Sequence, residues 1–331
     1  MLFFSSMMIG TLISISSLTW MGMWMGLEIN LLSIIPLMNS NKNLFSSEAS
    51  LKYFITQALA STILLLSIIL TSSNLLFIYE LKSNMILILN SALLTKMGAA
   101  PFHFWFPEIM EGLSWMNCLI MLCWQKIAPM IILSYNMNFP WFFIFIILVS
   151  MLIGGILGFN QISLRKILAY SSINHIAWMI SSLMIFESIW LMYFLIYTLI
   201  SINIILIFNV LNTFYLKQMF MAMNQKPMIK FFFALNFLSL GGLPPFIGFL
   251  PKWLTIENLI KNDLLILTFF MVILTLVTLF FYIRLIYSTL TLNMNEPTFN
   301  NDSNMNQYWI ILSNFLSLIS LLTSTLIFNF L

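Results

Sequence analysis

Charge is what this 331-residue chain has least of: Asp, Glu, Lys and Arg make up 7% of it, against 61% apolar residues and a mean hydropathy of +1.01. A water-soluble globule is excluded, because that much apolar surface could not be hidden from solvent. The ten-residue alternating segments of a membrane barrel are missing too, so long apolar runs must pair their backbone groups as helices. There is no Gly-rich nucleotide loop and no soluble segment to carry one. Histidine is limited to His103 and His175, and cysteine to Cys118 and Cys123. The cysteines lie five residues apart in one apolar span, on different helix faces, and read as structural thiols away from any oxidising compartment. This donor set makes no metal cage, haem or iron–sulfur site. The opening "MLFFSSMMIGTLISISSLTW" lacks a basic leader, a small-residue cleavage site and an Arg-rich amphipathic character, so insertion where the chain is made is expected. Heavy use of Met, Phe, Ile, Asn and Ser with little Arg resembles the codon bias of an A+T-rich organelle genome.

The apolar runs predict an all-α polytopic membrane protein with spans at 2–20, 23–39, 52–79, 84–106, 113–135, 140–159, 167–186, 188–214, 231–256, 264–291 and 308–330, about eleven in all. The polar stretches between them, "NSNKNLFSSEASLK", "NQISLRK", "KQMFMAMNQKPMIK" and "NMNEPTFNNDSNMNQ", are too short to fold alone, so a single transmembrane domain, 1–331, is expected. Lys42, Arg165, Lys166, Lys217, Lys226 and Lys230 follow even-numbered spans, whereas Lys82 and Lys261 lie on the other face beside Glu80 and Asp263. The positive-inside rule then puts the N-terminus on the side of synthesis and the C-terminus opposite.

Residues 98–108, "GAAPFHFWFPE", align without gaps on 242–252, "GLPPFIGFLPK". Gly98 matches Gly242, Pro101 matches Pro245, Phe102 matches Phe246 and Pro107 matches Pro251, with Pro244 added in the second copy. Each copy breaks a span, the fourth and the ninth, so the two are expected to run through the bilayer in opposite directions. That arrangement divides the chain into inverted repeats at about 1–137 and 138–292, with a final helix at about 308–330. Proline also displaces the carbonyl four residues before it, freeing Met97 in one copy and Gly241 in the other to hold water beside a charge.

Four ionisable residues stand well inside apolar spans: Glu28, Lys96, Lys126 and Lys252. An ionised side chain at mid-membrane costs about 2.5–3.5 kcal/mol on insertion scales, a penalty a fold does not need four times over. A carboxylate beside a buried ammonium holds the pair charged, and moving the partner away releases the proton. Glu28, the one carboxylate deep enough, is expected to pair with Lys96. Lys126, three residues before Pro129, and Lys252 extend the set. A static ion pair fixing helix register is the competing reading. His175, flanked by Ser171, Ser172 and Asn174, reads equally as a relay or as a packing histidine. His103 reads as snorkelling to the interface near Glu108; Glu80, Glu111, Glu187 and Glu257 lie near span ends, where a solvated face suffices.

"LLTKMGAAPFHFWFPEIMEGLSW", "WQKIAP", "RKILAYSSINHIAW" and "LSLGGLPPFIGFLPKW" together resemble the subunit 2 family of mitochondrial NADH:ubiquinone oxidoreductase, complex I, a branch of the antiporter-like subunits related to multisubunit cation/proton antiporters. The resemblance covers most of the chain, in the shortened animal form, and is weakest in the last span and the 293–307 loop. It implies five-helix inverted repeats and a place in the proton-pumping arm. The family's membrane glutamate falls on Glu28, its broken-helix lysines on Lys96 and Lys252, and its connecting lysine on Lys126. It also implies no cofactor in this chain, with NAD, FMN, iron–sulfur clusters and ubiquinone in other subunits. The implied partners are other membrane-arm subunits and lipid such as cardiolipin, without nucleic acid. The implied location is the mitochondrial inner membrane, N-terminus to the matrix and C-terminus to the intermembrane space. A self-contained cation/proton antiporter and a passive scaffold are the rival functions.

Overall fold

The computed structural model describes residues 1–39, 43–72, 79–224, 227–291 and 314–315. Lys42, Lys226, the 293–307 loop and, apart from 314–315, the span expected at 308–330 lie outside the described residues, as do the side chains of Glu80 and Lys82. Regular structure among the described residues is helical, with one isolated antiparallel bridge between Ser163 and Tyr215. Among the described residues six helices are long and apolar enough to cross a membrane: Trp20–Met38, Leu44–Ser72, Trp115–Ser134, Pro140–Phe159, Glu187–Leu211 and Leu265–Thr291.

The chain separates into two compact units, Met1–Ser150 and Met151–Leu331. In the first, α1 (Leu2–Ser16) and α2 (Trp20–Met38) pack backbone against backbone. A methyl added to Gly26 would come within 2.5 Å of the Ser14 nitrogen, and one on Gly10 within 2.9 Å of the Asn30 nitrogen. Such close approach is how helices gain dispersion energy where lipid supplies no hydrophobic drive. The expected span 2–20 stops at Ser16 because Thr19 caps the next helix, its hydroxyl accepting from the Gly22 N–H at 3.2 Å. The third helix, α3 (Leu44–Ser72), starts before the expected residue 52, since the small polar run ahead of it is helical. There Ser46 and Ser50 return their hydroxyls to backbone carbonyls, and Lys52 bridges to Glu48 one turn back at 2.9 Å. α4 (Tyr79–Met97) and α5 (Trp105–Gly112) both lie against α3. α6 (Trp115–Leu119) and α7 (Gln125–Ser134) form one rod joined by a π-helical turn, Ile120–Trp124. No disulfide joins Cys118 and Cys123, which are buried within it.

α8 (Pro140–Phe159) runs across the division in sequence. The second unit continues with α9 (Leu164–Leu183) and α10 (Glu187–Leu211), which ends on Asn212 in the left-handed region at φ 49°. The stretch expected as a linker carries α11 (Leu216–Asn224) instead. Gln218 Oε1 accepts from the backbone N–H of Phe214 and Tyr215 at 3.0 and 3.3 Å, satisfying donors that a helix start leaves open. Met219 and Met223, one turn apart, bury the same face. α12 (Pro227–Gly241), α13 (Phe249–Lys261) and α14 (Leu265–Thr291) complete the described helices, with α12 packed on α10 and α14.

The two predicted breaks share a hydrogen-bond pattern and a left-handed glycine, although only the first has a cis peptide, Ala100–Pro101, before its matched proline. α4 ends at Met97 and α12 at Gly241, and the next residue in each case is a left-handed glycine, Gly98 at φ 74° and Gly242 at φ 79°. A side chain would strain that conformation. The Ala99 N–H then donates to Leu94 O at 3.1 Å, and Leu243 N–H to Leu238 O at 3.4 Å. Phe102 N–H donates to Ala99 O at 2.9 Å, and Phe246 N–H to Leu243 O at 3.0 Å. The helix resumes at Trp105 in one copy and Phe249 in the other. These residues correspond in the gap-free alignment, so the sequence match is a match of hydrogen-bond geometry.

Candidate functional site

In the first unit Glu28 projects from α2 and Lys96 from the last turn of α4. Glu28 Oε1 stands 3.9 Å from Lys96 Nζ, with Lys96 4% and Glu28 24% exposed. That separation keeps the charges in Coulombic contact but is too long for a hydrogen bond. The ion pair predicted from sequence is therefore present in an open form.

A small cavity of about 20 Å³ adjoins Lys96, bordered by Asn30, Tyr53, Gln57 and Gln125 among others. A polar space of that size accommodates one water. Around it the amides are already engaged: Gln57 Nε2 donates to Lys96 O at 3.4 Å, and Gln125 Nε2 to Asn30 Oδ1 at 2.8 Å. Asn30 is two residues beyond Glu28, and Gln125 immediately precedes Lys126. Asn30 and Gln125 thus join α2 to the rod containing α7 beside Lys96, at the cavity they border with it. Lys126 is 1% exposed and its ammonium lies 5.7 Å from the centroid of the Phe106 ring on α5, a cation–π distance.

In the second unit Lys252 is 6% exposed and turns back across its own break. Its Nζ donates to Gly241 O at 2.8 Å and Leu240 O at 3.1 Å. Those are terminal carbonyls of α12, at the negative end of a helix dipole, one of them the oxygen that Pro245 was expected to free. The ammonium donates to backbone carbonyls, and it takes the freed oxygen itself where a water was expected. Gly242 makes the path possible, because a Cβ there would sit 2.7 Å from Lys252 Cδ and 2.9 Å from Nζ. Above the ammonium, at 5.9 Å, is the ring of Trp178 on α9.

His175 lies one helical turn before Trp178 and is 4% exposed. Its Nδ1 is 2.9 Å from Tyr193 Oη on α10, and the Tyr197 ring is 5.0 Å away. The flanking hydroxyls serve other partners: Ser171 and Ser172 donate to Leu168 O and Ala169 O, each at 2.8 Å, and Asn174 reaches Thr278. His103 is 1% exposed inside the first break, a correction to its expected snorkelling. Glu108 turns outward to Lys52 at 2.9 Å. Of the break prolines, Pro107 and Pro251 are buried at the first turns of α5 and α13, a position that needs no N–H, while Pro101, Pro244 and Pro245 lie in the non-helical turns.

Asn30, Gln57, Tyr53 and Gln125 border the Lys96 cavity and Tyr193 bonds His175, all without formal charge. Their signal was a side-chain amide or phenol inside an apolar run, which must find a partner when buried.

A model of the NADH:quinone oxidoreductase/Mrp antiporter transmembrane family matches residues 17–278. The chain is 54% identical to NADH-ubiquinone oxidoreductase chain 2 of Anopheles gambiae, over 99% of this chain and 93% of that one. The chain belongs to this antiporter-like family. The chain 2 protein of Locusta migratoria is 46% identical over 97% of this chain and 93% of its own length. Among solved structures, a chain of respiratory complex I from Thermus thermophilus with bound aureothin superposes with a TM-score of 0.85 over 96% of this chain and 77% of its own, at 22% identity. A chain of the Mrp complex from Dietzia sp. gives 0.83 over 97% and 74%, at 15% identity. The fold is thus shared with a chain of a respiratory complex and a chain of an Mrp complex.

Proposed function

We propose that the chain is an antiporter-like core membrane subunit of respiratory NADH:ubiquinone oxidoreductase, contributing to proton translocation while electrons pass from NADH to ubiquinone in other subunits. The observation that carries this reading is the buried Glu28–Lys96 pair at 3.9 Å beside a water-sized cavity, in a chain whose relatives bear that oxidoreductase's name. NAD, FMN, iron–sulfur clusters and ubiquinone then belong to the partner subunits, and this chain holds no redox centre. The fold reading that goes with it is about eleven spans in inverted five-helix repeats, about 1–137 and 138–292, followed by a helix at about 308–330. The location is the mitochondrial inner membrane, with the N-terminus in the matrix and the C-terminus in the intermembrane space. The chain's contacts are the other membrane-arm subunits and lipid, with cardiolipin as a candidate.

In mechanism, charge displaced in a neighbouring subunit closes or opens the Glu28–Lys96 pair. Closing to hydrogen-bond distance strengthens the hold on the Lys96 proton, and opening weakens it. The proton passes by a water in the adjacent cavity towards Lys126, and Lys252 takes part in the later transfer. His175, bonded to Tyr193 and one helical turn from Trp178, is a candidate relay, with a packing histidine as the alternative. Lys252 needs no carboxylate for this, because the α12 carbonyls receive its ammonium.

Native electrophoresis of gently solubilised source membranes tests the assignment. Comigration of the chain with a large band that stains for NADH dehydrogenase activity is expected. Migration as a small species without that activity, together with cation/proton exchange by the isolated chain in liposomes, would replace this reading with the self-contained antiporter that the likeness to the Mrp complex also allows.

A further inference from the structure

A second cavity, of about 300 Å³, lies within the second unit, away from Lys252 and His175. It is bordered by Phe159, Asn160 and Gln161 at the end of α8 and by Phe281, Arg284 and Ser288 on α14. We propose that this cavity binds the phosphate head of an anionic phospholipid, with Arg284 as its anchor. The inference rests on the chain lying in lipid and is independent of the proton route.

Depth supports it. α14 has 27 residues and therefore runs about 40 Å, longer than the roughly 30 Å hydrocarbon layer. Counted from Leu265, Arg284 lies about 28 Å along the helix, so in a layer that begins at the start of α14 it falls near the far edge, where acyl chains give way to headgroups. Its guanidinium lies 5.0 Å from the Phe159 ring and makes no ion pair with a carboxylate among the described residues. The lining is mixed in kind: the Arg284 guanidinium, the Ser288 hydroxyl and the amides of Asn160 and Gln161 alternate with the rings of Phe159, Phe220 and Phe281. A free inorganic anion has no use for the aromatic walls, and a neutral hydrophobe none for the guanidinium. A phosphodiester on a glycerol carrying an acyl chain uses both, and a planar guanidinium pairs well with phosphate oxygens.

The charge of the lipid follows from the surroundings. Leu164 N–H donates to Phe214 O at 2.9 Å and Leu216 N–H to Ile162 O at 3.2 Å, zipping the α8–α9 and α10–α11 connections together. Arg165, Lys166 and Lys217 come directly after these paired segments, and Ile162 and Leu216 themselves border the cavity. Basic residues gathered at one membrane face favour anionic over zwitterionic headgroups.

The test is photolabelling of the intact purified assembly that contains this chain, whichever assembly that is, with a phosphatidylglycerol bearing a diazirine near its headgroup. Labelling mapped by mass spectrometry is expected at 159–162 and 281–288. Unlabelled phosphatidylglycerol should compete, whereas phosphatidylcholine and millimolar inorganic phosphate should not. Arg284→Gln is expected to lower labelling of these segments at least about tenfold, the loss of one charge-assisted hydrogen bond, and Arg284→Lys to lower it less. Equal labelling by a phosphatidylcholine probe, or unchanged labelling in Arg284→Gln, would overturn the site. Displacement by inorganic phosphate would make it a free-anion site and overturn the lipid. The competition arms use the native sequence, so they decide the question even where a variant fails to assemble.

Discussion

The two broken helices share a hydrogen-bond pattern and differ in how they keep a lysine in the membrane. In the first, Lys96 precedes the break and faces a carboxylate on another helix, Glu28 at 3.9 Å. In the second, Lys252 lies beyond the break and is held by the carbonyls of Gly241 and Leu240. A carboxylate can itself gain a proton or move with its helix, so the first seat is adjustable. Peptide carbonyls keep both their charge and their place. Similar broken helices thus seat one lysine against a carboxylate that can move and the other against carbonyls that cannot.

Substitutions made in the assembled complex probe this contrast, beginning with the largest expected effect. Lys252→Met should abolish the contribution of this subunit to pumping, read as protons moved per NADH oxidised in proteoliposomes. An unchanged ratio in a fully assembled complex would remove Lys252 from the mechanism. Gly242→Ala should come next, because it adds both left-handed strain of about 1 kcal/mol and a clash with the lysine stem. Its counterpart Gly98→Ala shares the strain, but the new methyl would meet Phe106 at 3.1 Å and no charge, so pumping should fall less than in Gly242→Ala. Equal losses in the two would mean that the lysine seat is not what Gly242 protects.

Glu28→Gln leaves the Lys96 ammonium without its counter-charge, and a drop in coupled pumping of about tenfold is expected, with quinone reduction by the purified complex less affected. A Glu28→Gln complex with normal pumping would reduce the pair to a register device. Gln125→Leu removes one buried hydrogen bond of about 1 kcal/mol and one wall of the water-sized cavity, so a several-fold slowing is expected, with a solvent isotope effect that changes. Glu108→Gln, which loosens an exposed bridge to Lys52, should alter neither assembly nor pumping. A loss there would show that the outer face of the first break matters as much as its interior.

Much of this was legible beforehand because membranes restrict the vocabulary. The break positions came from proline and glycine, whose backbone constraints are local, and the Glu28–Lys96 pair from the scarcity of charge. The features that stayed hidden depend on several helices at once. Nothing in "GFLPKW" says that Lys252 folds back over Gly242 to reach α12, since that path exists only after the break has brought the two helix ends together. The amides of Asn30, Gln57 and Gln125 carry no periodic signal, and their meaning comes from partners far away in sequence. α11 lies in a stretch that reads as polar punctuation between spans, although Met219 and Met223 mark an inward face. The π turn before Lys126 had no proline or glycine to announce it.

That turn has a mechanical consequence. Ile120–Trp124 accommodates one residue more than an α-helical stretch of the same rise would hold. Its conversion to regular α-helix would rotate α7 by about 100° around the axis of the rod. Gln125 would then swing off Asn30, and Lys126 off Phe106, in a single stroke. The rod would behave as a ratchet with one tooth: two contacts to different helices would release together, with no bend in between.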